Sequence, residues 1–391
     1  MNEPKLRFKA DDGSQFPEWE EKKLNEIAVR VTRKNKDNVT DIPLTISSAD
    51  GLIDQRNFFN KVVASKDMSG YYLLKNGEFA YNKSYSKGYD FGSIKRLDLY
   101  DEGALSTLYI CFALNKNENS DFYQKYFDSL SWYPELQKIC AEGARNHGLL
   151  NVPTNDFFQL KLCVPSSDKE QQKIAEFLST IDTVIEKQKE TVSSWEERKK
   201  GVMQKLFNQE VRFKADDGSE FPEWEEKHFS EMYKSIPNKQ YQISTKEYKK
   251  CGKYKVIDQG KDFIAGYYDD KSKVYGSVPI IVYGDHTTVV KYLDEPFVIG
   301  ADGTKLLDKI SNNFDIKFLY FALNFNNVKQ MGYKRHFSAL KEISFTIPSS
   351  LAEQQKIADC LSTLDEVIEK QKATLAAWEK LKKGLLQQMF V

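Results

Sequence analysis

The stretch IAEFLSTIDTVIEKQKETVSSWEERKKGVMQKLF, residues 174–207, decides the fold, and it returns as IADCLSTLDEVIEKQKATLAAWEKLKKGLLQQMF, residues 357–390. In the first copy Ile174, Leu178, Ile181, Ile185, Gln188, Val192, Trp195, Lys199, Val202 and Leu206 alternate at spacings of four and three. The second keeps the register with Ile357, Leu361, Leu364, Ile368, Gln371, Leu375, Trp378, Lys382, Leu385 and Met389. That is the a/d seam of a coiled coil, and its 3.5-residue period calls for a partner helix. Each copy is the natural partner of the other. The polar interruptions, Gln188 with Gln371 and Lys199 with Lys382, recur at matching positions, and the glutamines are expected to fix register. Each copy opens on the same signal. Pro165-Ser166-Ser167 leads to Glu170, and Pro348-Ser349-Ser350 leads to Glu353. The serines are expected to cap each helix while the glutamates reach back to close a capping box.

Outward from the helices lies a second repeat. Arg7–Glu21 reads RFKADDGSQFPEWEE and Arg212–Glu226 reads RFKADDGSEFPEWEE, differing only at Gln15 and Glu220. Asp-Asp-Gly-Ser and Phe-Pro are turn chemistry. Phe16, Trp19, Phe221 and Trp224 are expected to anchor that turn by packing. Between turn and helix stand two segments, Ala28–Val164 and Tyr233–Ile347, with no evident likeness to each other. Short runs such as Tyr71-Tyr72-Leu73-Leu74 and Val278–Tyr283, broken by Gly, Asn and Asp, have strand-and-turn texture, and Ile316–Leu323 predicts a short helix. The order is turn, domain, helix, turn, domain, helix. Leu6-Arg7-Phe8 would continue the helix ending at Phe390, as Val211-Arg212-Phe213 follows Phe207. The repeat is circular. The expected fold is α+β, with two mixed α/β domains separated by two long antiparallel coiled-coil helices in a pseudo-twofold arrangement. Its boundaries are 1–164 for the first domain, 165–210 for the first helix, 211–347 for the second domain and 348–391 for the second helix.

Composition narrows the function. With 57 Lys and Arg against 57 Asp and Glu, the chain has no overall basic signature. Five scattered cysteines without C-x-x-C fit neither a disulfide framework nor a zinc site and suit a reducing compartment. The start, Met1-Asn2-Glu3-Pro4-Lys5, has no apolar signal region, and no run approaches a membrane span. A cytoplasmic protein is expected. There is no phosphate loop, no dinucleotide fingerprint and no Asn/Asp-Pro-Pro-aromatic motif of amino-methyltransferases, and none of the four histidines is paired at metal spacing. An enzyme active on its own is disfavoured.

Pro165-x-x-x-x-Glu170-Gln171-Gln172-x-Ile174-Ala175, its twin Pro348-x-x-x-x-Glu353-Gln354-Gln355-x-Ile357-Ala358, and the circular repeat resemble the specificity subunit of type I restriction-modification enzymes, over essentially the whole chain. Gly77–Ser86 (GEFAYNKSYS), Gly284-Asp285-His286-Thr287 and Ala301-Asp302-Gly303 look like motifs of that family's target recognition domains. The resemblance implies that each domain reads one half of a split, asymmetric site in double-stranded DNA. It implies that the helices set the distance between the halves, that two methyltransferase subunits dock on the frame to methylate adenine, and that two motor-nuclease subunits join for restriction. S-adenosylmethionine, ATP and magnesium would then belong to partner chains, with no cofactor or metal in this one. Alternatives of the same or a plainer design are the recognition subunit of a methyltransferase without a nuclease, and a coiled-coil scaffold that binds no DNA.

Base readout needs bidentate side chains at groove edges, and phosphates need cations and amides. In the first domain the candidates are Lys83, Tyr85, Ser86, Lys87, Lys95, Arg96 and the donor cluster Arg145-Asn146-His147. In the second they are Lys261, His286, Thr287, Thr288, Lys305 and Lys334-Arg335-His336. The segment Tyr233–Ile347 carries about six more cations than anions, a mild attraction to phosphate.

Overall fold

The computed structural model describes residues 3–48, 50–59, 64–140, 150–300, 302–330, 332 and 334–391. The chain divides into two units, Met1–Gln188 with Thr374–Val391, and Lys189–Ala373. The long helices, Asp168–Phe207 of 40 residues and Leu351–Met389 of 39, each contribute to both.

The first unit holds β1 (Trp19–Lys23), β2 (Ala28–Arg30), β3 (Pro43–Ser47), β4 (Gly51–Asp54), β5 (Tyr72–Lys75), β6 (Phe79–Asn82), β7 (Ser93–Arg96), β8 (Glu102–Leu105), β9 (Ile110–Leu114) and β10 (Lys161–Pro165). The second holds β11 (Trp224–His228), β12 (Tyr233–Ile236), β13 (Tyr254–Ile257), β14 (Gly266–Tyr268), β15 (Val274–Tyr275), β16 (Ile280–Gly284), β17 (Val290–Leu293), β18 (Phe297–Ile299), β19 (Thr304–Lys309) and β20 (Ser344–Pro348). Their sheets match strand for strand. The orders are β2-β9-β6-β7 and β12-β19-β16-β17, then β4-β3-β8-β5 and β14-β13-β18-β15, then the ribbons β1-β10 and β11-β20. Even the parallel pair recurs, β3 with β8 and β13 with β18. Two segments without visible sequence likeness therefore share one topology.

Alternation along the strands explains the layering. In β6, Phe79 and Tyr81 enter the core shared with the helices, while Ala80 faces the second sheet. In β16, Ile281 and Tyr283 face the helices, whereas Ile280 and Val282 face the other sheet. A strand covered on both faces reads as an unbroken apolar run, which is how 278–283 looked in sequence. The expected short helix is present as Ile316–Phe325, capped by Asp315, whose carboxylate accepts the Phe318 amide at 2.7 Å.

Every seam position is buried or half-buried. The seam has two jobs. In the first unit Ile174 and Leu178 share a globular core with Leu386, Met389 and Phe390, and Lys382 meets Asp182 at 2.5 Å. In the second, Ile357 and Leu361 share a core with Leu206 and Phe207, and Lys199 meets Asp365 at 2.5 Å. Within each unit the start of one helix thus lies beside the end of the other, an antiparallel pairing. The lysines that interrupt the seam form interhelical ion pairs, and Lys372 adds another with Glu196 at 2.9 Å.

The repeated turn explains the repeated helix start, with one correction. Glu170 and Glu353, both fully buried, do not reach back to their helices. Arg7 grips Glu170 through Nε at 2.8 Å and Nη2 at 2.9 Å, and Arg212 grips Glu353 at 3.1 and 3.0 Å. A buried carboxylate gains more from a two-pronged guanidinium than from one amide, so the ion pair displaces the capping box. Next in line, Gln171 and Gln354 donate to the carbonyls of Pro165 and Pro348 at 2.9 and 3.0 Å. Lys173 donates to the Lys9 carbonyl at 3.0 Å and Lys356 to that of Lys214 at 2.7 Å. Gly13 and Gly218 close the turns at φ +85° in both copies, where a side chain would strain. Trp19 lies against Phe390 and Trp224 against Phe207, each pair edge-to-face at 6.4 Å, so the aromatic residues are packing anchors.

Candidate nucleic-acid interface

In the second unit the parallel strands β13 and β18 end on the same side, and β16 ends where β19 begins, Gly284 standing opposite Thr304. This brings three loops together: 258–263 after β13, 285–289 after β16 and 300–303 after β18. A fourth segment joins them. Asn327 donates to the Thr288 carbonyl at 2.6 Å and Gln330 to that of His286 at 3.3 Å. The His336 amide donates to the Asp285 carbonyl at 2.8 Å, and the Phe337 amide to the Asp285 carboxylate at 3.0 Å.

The sequence-predicted residues of this domain therefore converge. Lys261, Lys334 and Arg335 are exposed, and His286, Thr287, Thr288 and Lys305 are half-buried at the loop bases. His336 differs: it is buried, with Nδ1 3.2 Å from the Asp285 carbonyl, and belongs to the support of the loops. Thr288 sits at φ +57°, a region costly for a β-branched side chain and one that often marks built sites.

Two residues that sequence reading passed over hold this cluster. Gln259 donates through Nε2 to the Asp302 carbonyl at 2.8 Å and accepts the His286 amide on Oε1 at 3.1 Å, while its backbone carbonyl accepts the Thr287 hydroxyl at 2.5 Å. Lys291 is buried and donates to the carbonyls of Asp258 at 2.9 Å and Asp262 at 2.6 Å. Burial lowers its pKa against the pull of Asp258 and Asp262.

In the first unit the equivalent loop follows β6. Tyr85 and Lys87 are exposed on it. Ser86 is held at its base, its hydroxyl 3.0 Å from that of Ser48, which lies 3.2 Å from Ser93. Lys83 is half-buried and donates to the Val152 carbonyl at 3.2 Å; burial, with Arg30 nearby, lowers its pKa. Lys95 and Arg96 are spent elsewhere. Lys95 pairs with Asp128 at 2.7 Å, and Arg96 with Asp98 at 2.6 Å and Asp121 at 2.7 Å. Burial opposes the Lys95 charge, but Asp128 prevails and raises its pKa. Arg145, Asn146 and His147 lie outside the described residues. Both loop clusters present cations, hydroxyls and amides on fixed backbone, the chemistry of phosphate and base-edge contact. Among the described residues no group of His, Cys, Asp and Glu could hold a metal ion, and no helix is long and apolar enough to cross a membrane.

Known proteins share this architecture. Residues 222–377 match the family model described as type I restriction modification DNA specificity domain. The chain is 24% identical over 418 aligned residues to the putative type I restriction enzyme MjaX specificity subunit of Methanocaldococcus jannaschii, covering 97% of this chain and 94% of that protein. Its fold superposes on the type I restriction-modification S subunit from M. genitalium with a TM-score of 0.56 at 14% identity, over 100% of this chain and 99% of that one. A second solved chain, from a structural account of complex assembly and conformational transition in the type I R-M system, gives 0.50 at 17% identity, over 96% and 98%. From end to end, the chain resembles the specificity subunits of type I restriction enzymes.

Proposed function

We propose that this chain is the DNA-recognition subunit of a type I restriction-modification complex, reading a two-part asymmetric target with one loop cluster per unit. The observation that carries the reading is the doubled topology: two domains of the same strand order bear different residues on equivalent loops. Such a molecule suits two unlike half-sites. The repeated frame, identical at Arg7–Glu170 and Arg212–Glu353, would offer equivalent docking places to two methyltransferase subunits, and two motor-nuclease subunits would complete the complex. S-adenosylmethionine, ATP and magnesium would be bound by those partners, in the cytoplasm. Each long helix is about 60 Å if straight, longer than one DNA turn of about 34 Å, so the pair is long enough to set a spacer between half-sites. The test is methylome sequencing of a host with and without this gene. A methylated motif that appears only with the gene, in two parts around an unread spacer, is expected. A gene-dependent motif that is continuous, or no such motif, would contradict the reading.

A further inference from the structure

We propose that Gln259 is a positioning residue of the second recognition surface, joining the loops after β13, β16 and β18 into one rigid ledge from which Lys261, His286 and Lys305 meet DNA. The inference rests on the DNA-reading function above. Gln259 spends its side-chain amide inward: Nε2 on the Asp302 carbonyl and Oε1 on the His286 amide. The loops have closed on it so tightly that side chains are excluded beside it. A Cβ on Gly303, itself at φ +88°, would stand 2.7 Å from Gln259 Nε2. A Cβ on Gly284 would stand 2.1 Å from the Thr287 hydroxyl that bonds the Gln259 carbonyl. From beneath, Lys291 holds the carbonyls on either side, those of Asp258 and Asp262.

The first unit has a tie in the same topological place. Ser48 directly follows β3, the counterpart of β13, and its hydroxyl reaches Ser86 on the loop after β6, the counterpart of β16. Two unlike residues doing the same joining task, in domains of different sequence, mark the task as part of the design. Because Gln259 acts on three loops together, its loss should loosen every base pair those loops read. A side chain that itself contacts a base should affect one base pair.

The experiment is methylome sequencing with the assembled complex carrying wild-type chain, Gln259→Met, Lys291→Met or Thr287→Val. Methionine keeps the length of glutamine without its hydrogen bonds. For Gln259→Met, discrimination should fall about tenfold at two or more positions of one half-site, with the other half and the spacer unchanged. Lys291→Met should relax the same half. An unchanged motif would overturn the proposal and leave DNA reading by the domain intact. Relaxation at a single position would overturn it too, making Gln259 a base reader. If Gln259→Met abolishes methylation, Thr287→Val, which leaves the Gln259 side chain in place and removes only the hydroxyl's bonds to the Gln259 carbonyl and from the Val289 amide, decides: relaxation of the same half supports the proposal and an unchanged motif overturns it. Absence of any gene-dependent motif with the wild-type chain would instead sink the functional reading on which the proposal stands.

Discussion

Leu6 donates its backbone amide to the carbonyl of Gln388 at 2.9 Å. In the other copy of the repeat the same bond runs from Val211 to Lys205, at 3.3 Å. What is a local helix-ending contact in the middle of the chain becomes, in the first unit, a bond between residues near opposite ends of the sequence. The circular repeat is thus present in the backbone itself.

A circular permutant should therefore fold. Joining Val391 to Pro4 through a short flexible linker and opening the chain at Asn208-Gln209, where the corresponding turn lies, should leave both units intact. Their thermal unfolding midpoint should stay within a few degrees of the parent's. Loss of cooperative unfolding would show that the two copies of the turn are not interchangeable.

The guanidinium–glutamate pairs should be the most sensitive points of the frame. Arg7→Ala leaves the fully buried Glu170 carboxylate without its cationic partner, the Trp19 indole N–H at 3.3 Å remaining, and should cost about 3 to 5 kcal/mol. Arg212→Ala should cost a similar amount in the second unit through Glu353. Arg7→Lys should recover only part, because an ammonium cannot make two parallel bonds. Denaturant unfolding measures all three. A cost below about 1 kcal/mol for either alanine would contradict the assignment, since that is what an exposed pair loses.

Asp182 gives the helix pair a pH dependence. Burial disfavours its charge, but Lys382 and Lys125 together outweigh that and hold its pKa below the ordinary carboxylate value. A folded-state pKa depressed in this way stabilises the protein fully above the unfolded value, near 3.8, and the contribution fades as pH falls through the folded one. Asp182→Asn should lose about 2 kcal/mol at neutral pH. The gap between variant and wild type should stay level from pH 7 to about pH 4.5 and narrow below it. A gap that widened on acidification would have the wrong sign.

The ion pairs Asp182–Lys382 and Lys199–Asp365 constrain how the helices, acting as rulers, would set the spacer between half-sites. Four residues inserted after Val192 add about 6 Å to one helix, close to two base-pair rises of about 3.4 Å. Alone, the insertion lengthens the stretch from Asp182 to Lys199 but not that from Asp365 to Lys382, so one pair must break. Matched insertions after Val192 and Leu375 preserve both. The matched variant should methylate the same half-sites with one or two more base pairs between them, and the single insertion should lose stability. An unchanged spacer in a methylation-competent matched variant would exclude the helices as rulers.

The frame was legible because its information is local and written twice: heptads, the Pro-to-Glu spacing and the Asp-Asp-Gly turn recur nearly letter for letter. The shared domain topology was not. Its strands are short, β6 and β16 are covered on both faces and lose the two-residue alternation, and β3–β8 and β13–β18 join residues far apart in sequence. The candidate site was legible in part. Lys261 and Lys87, singled out as candidates for DNA contact, are exposed on loops. Lys95 and Arg96 looked the same in sequence, but their partners Asp128 and Asp121 lie on a helix that no local signal connects to them. Lys291 looked like any strand lysine, because backbone carbonyls are its partners.

The claim that two heads on one frame each read their own half-site is tested most directly by exchanging Ala28–Val164 for the corresponding segment of a relative with a different target and sequencing the methylome. New bases are expected in one half of the methylated motif, with the other half and the spacer as in the parent. Changes in both halves, or in neither while methylation continues, would contradict it.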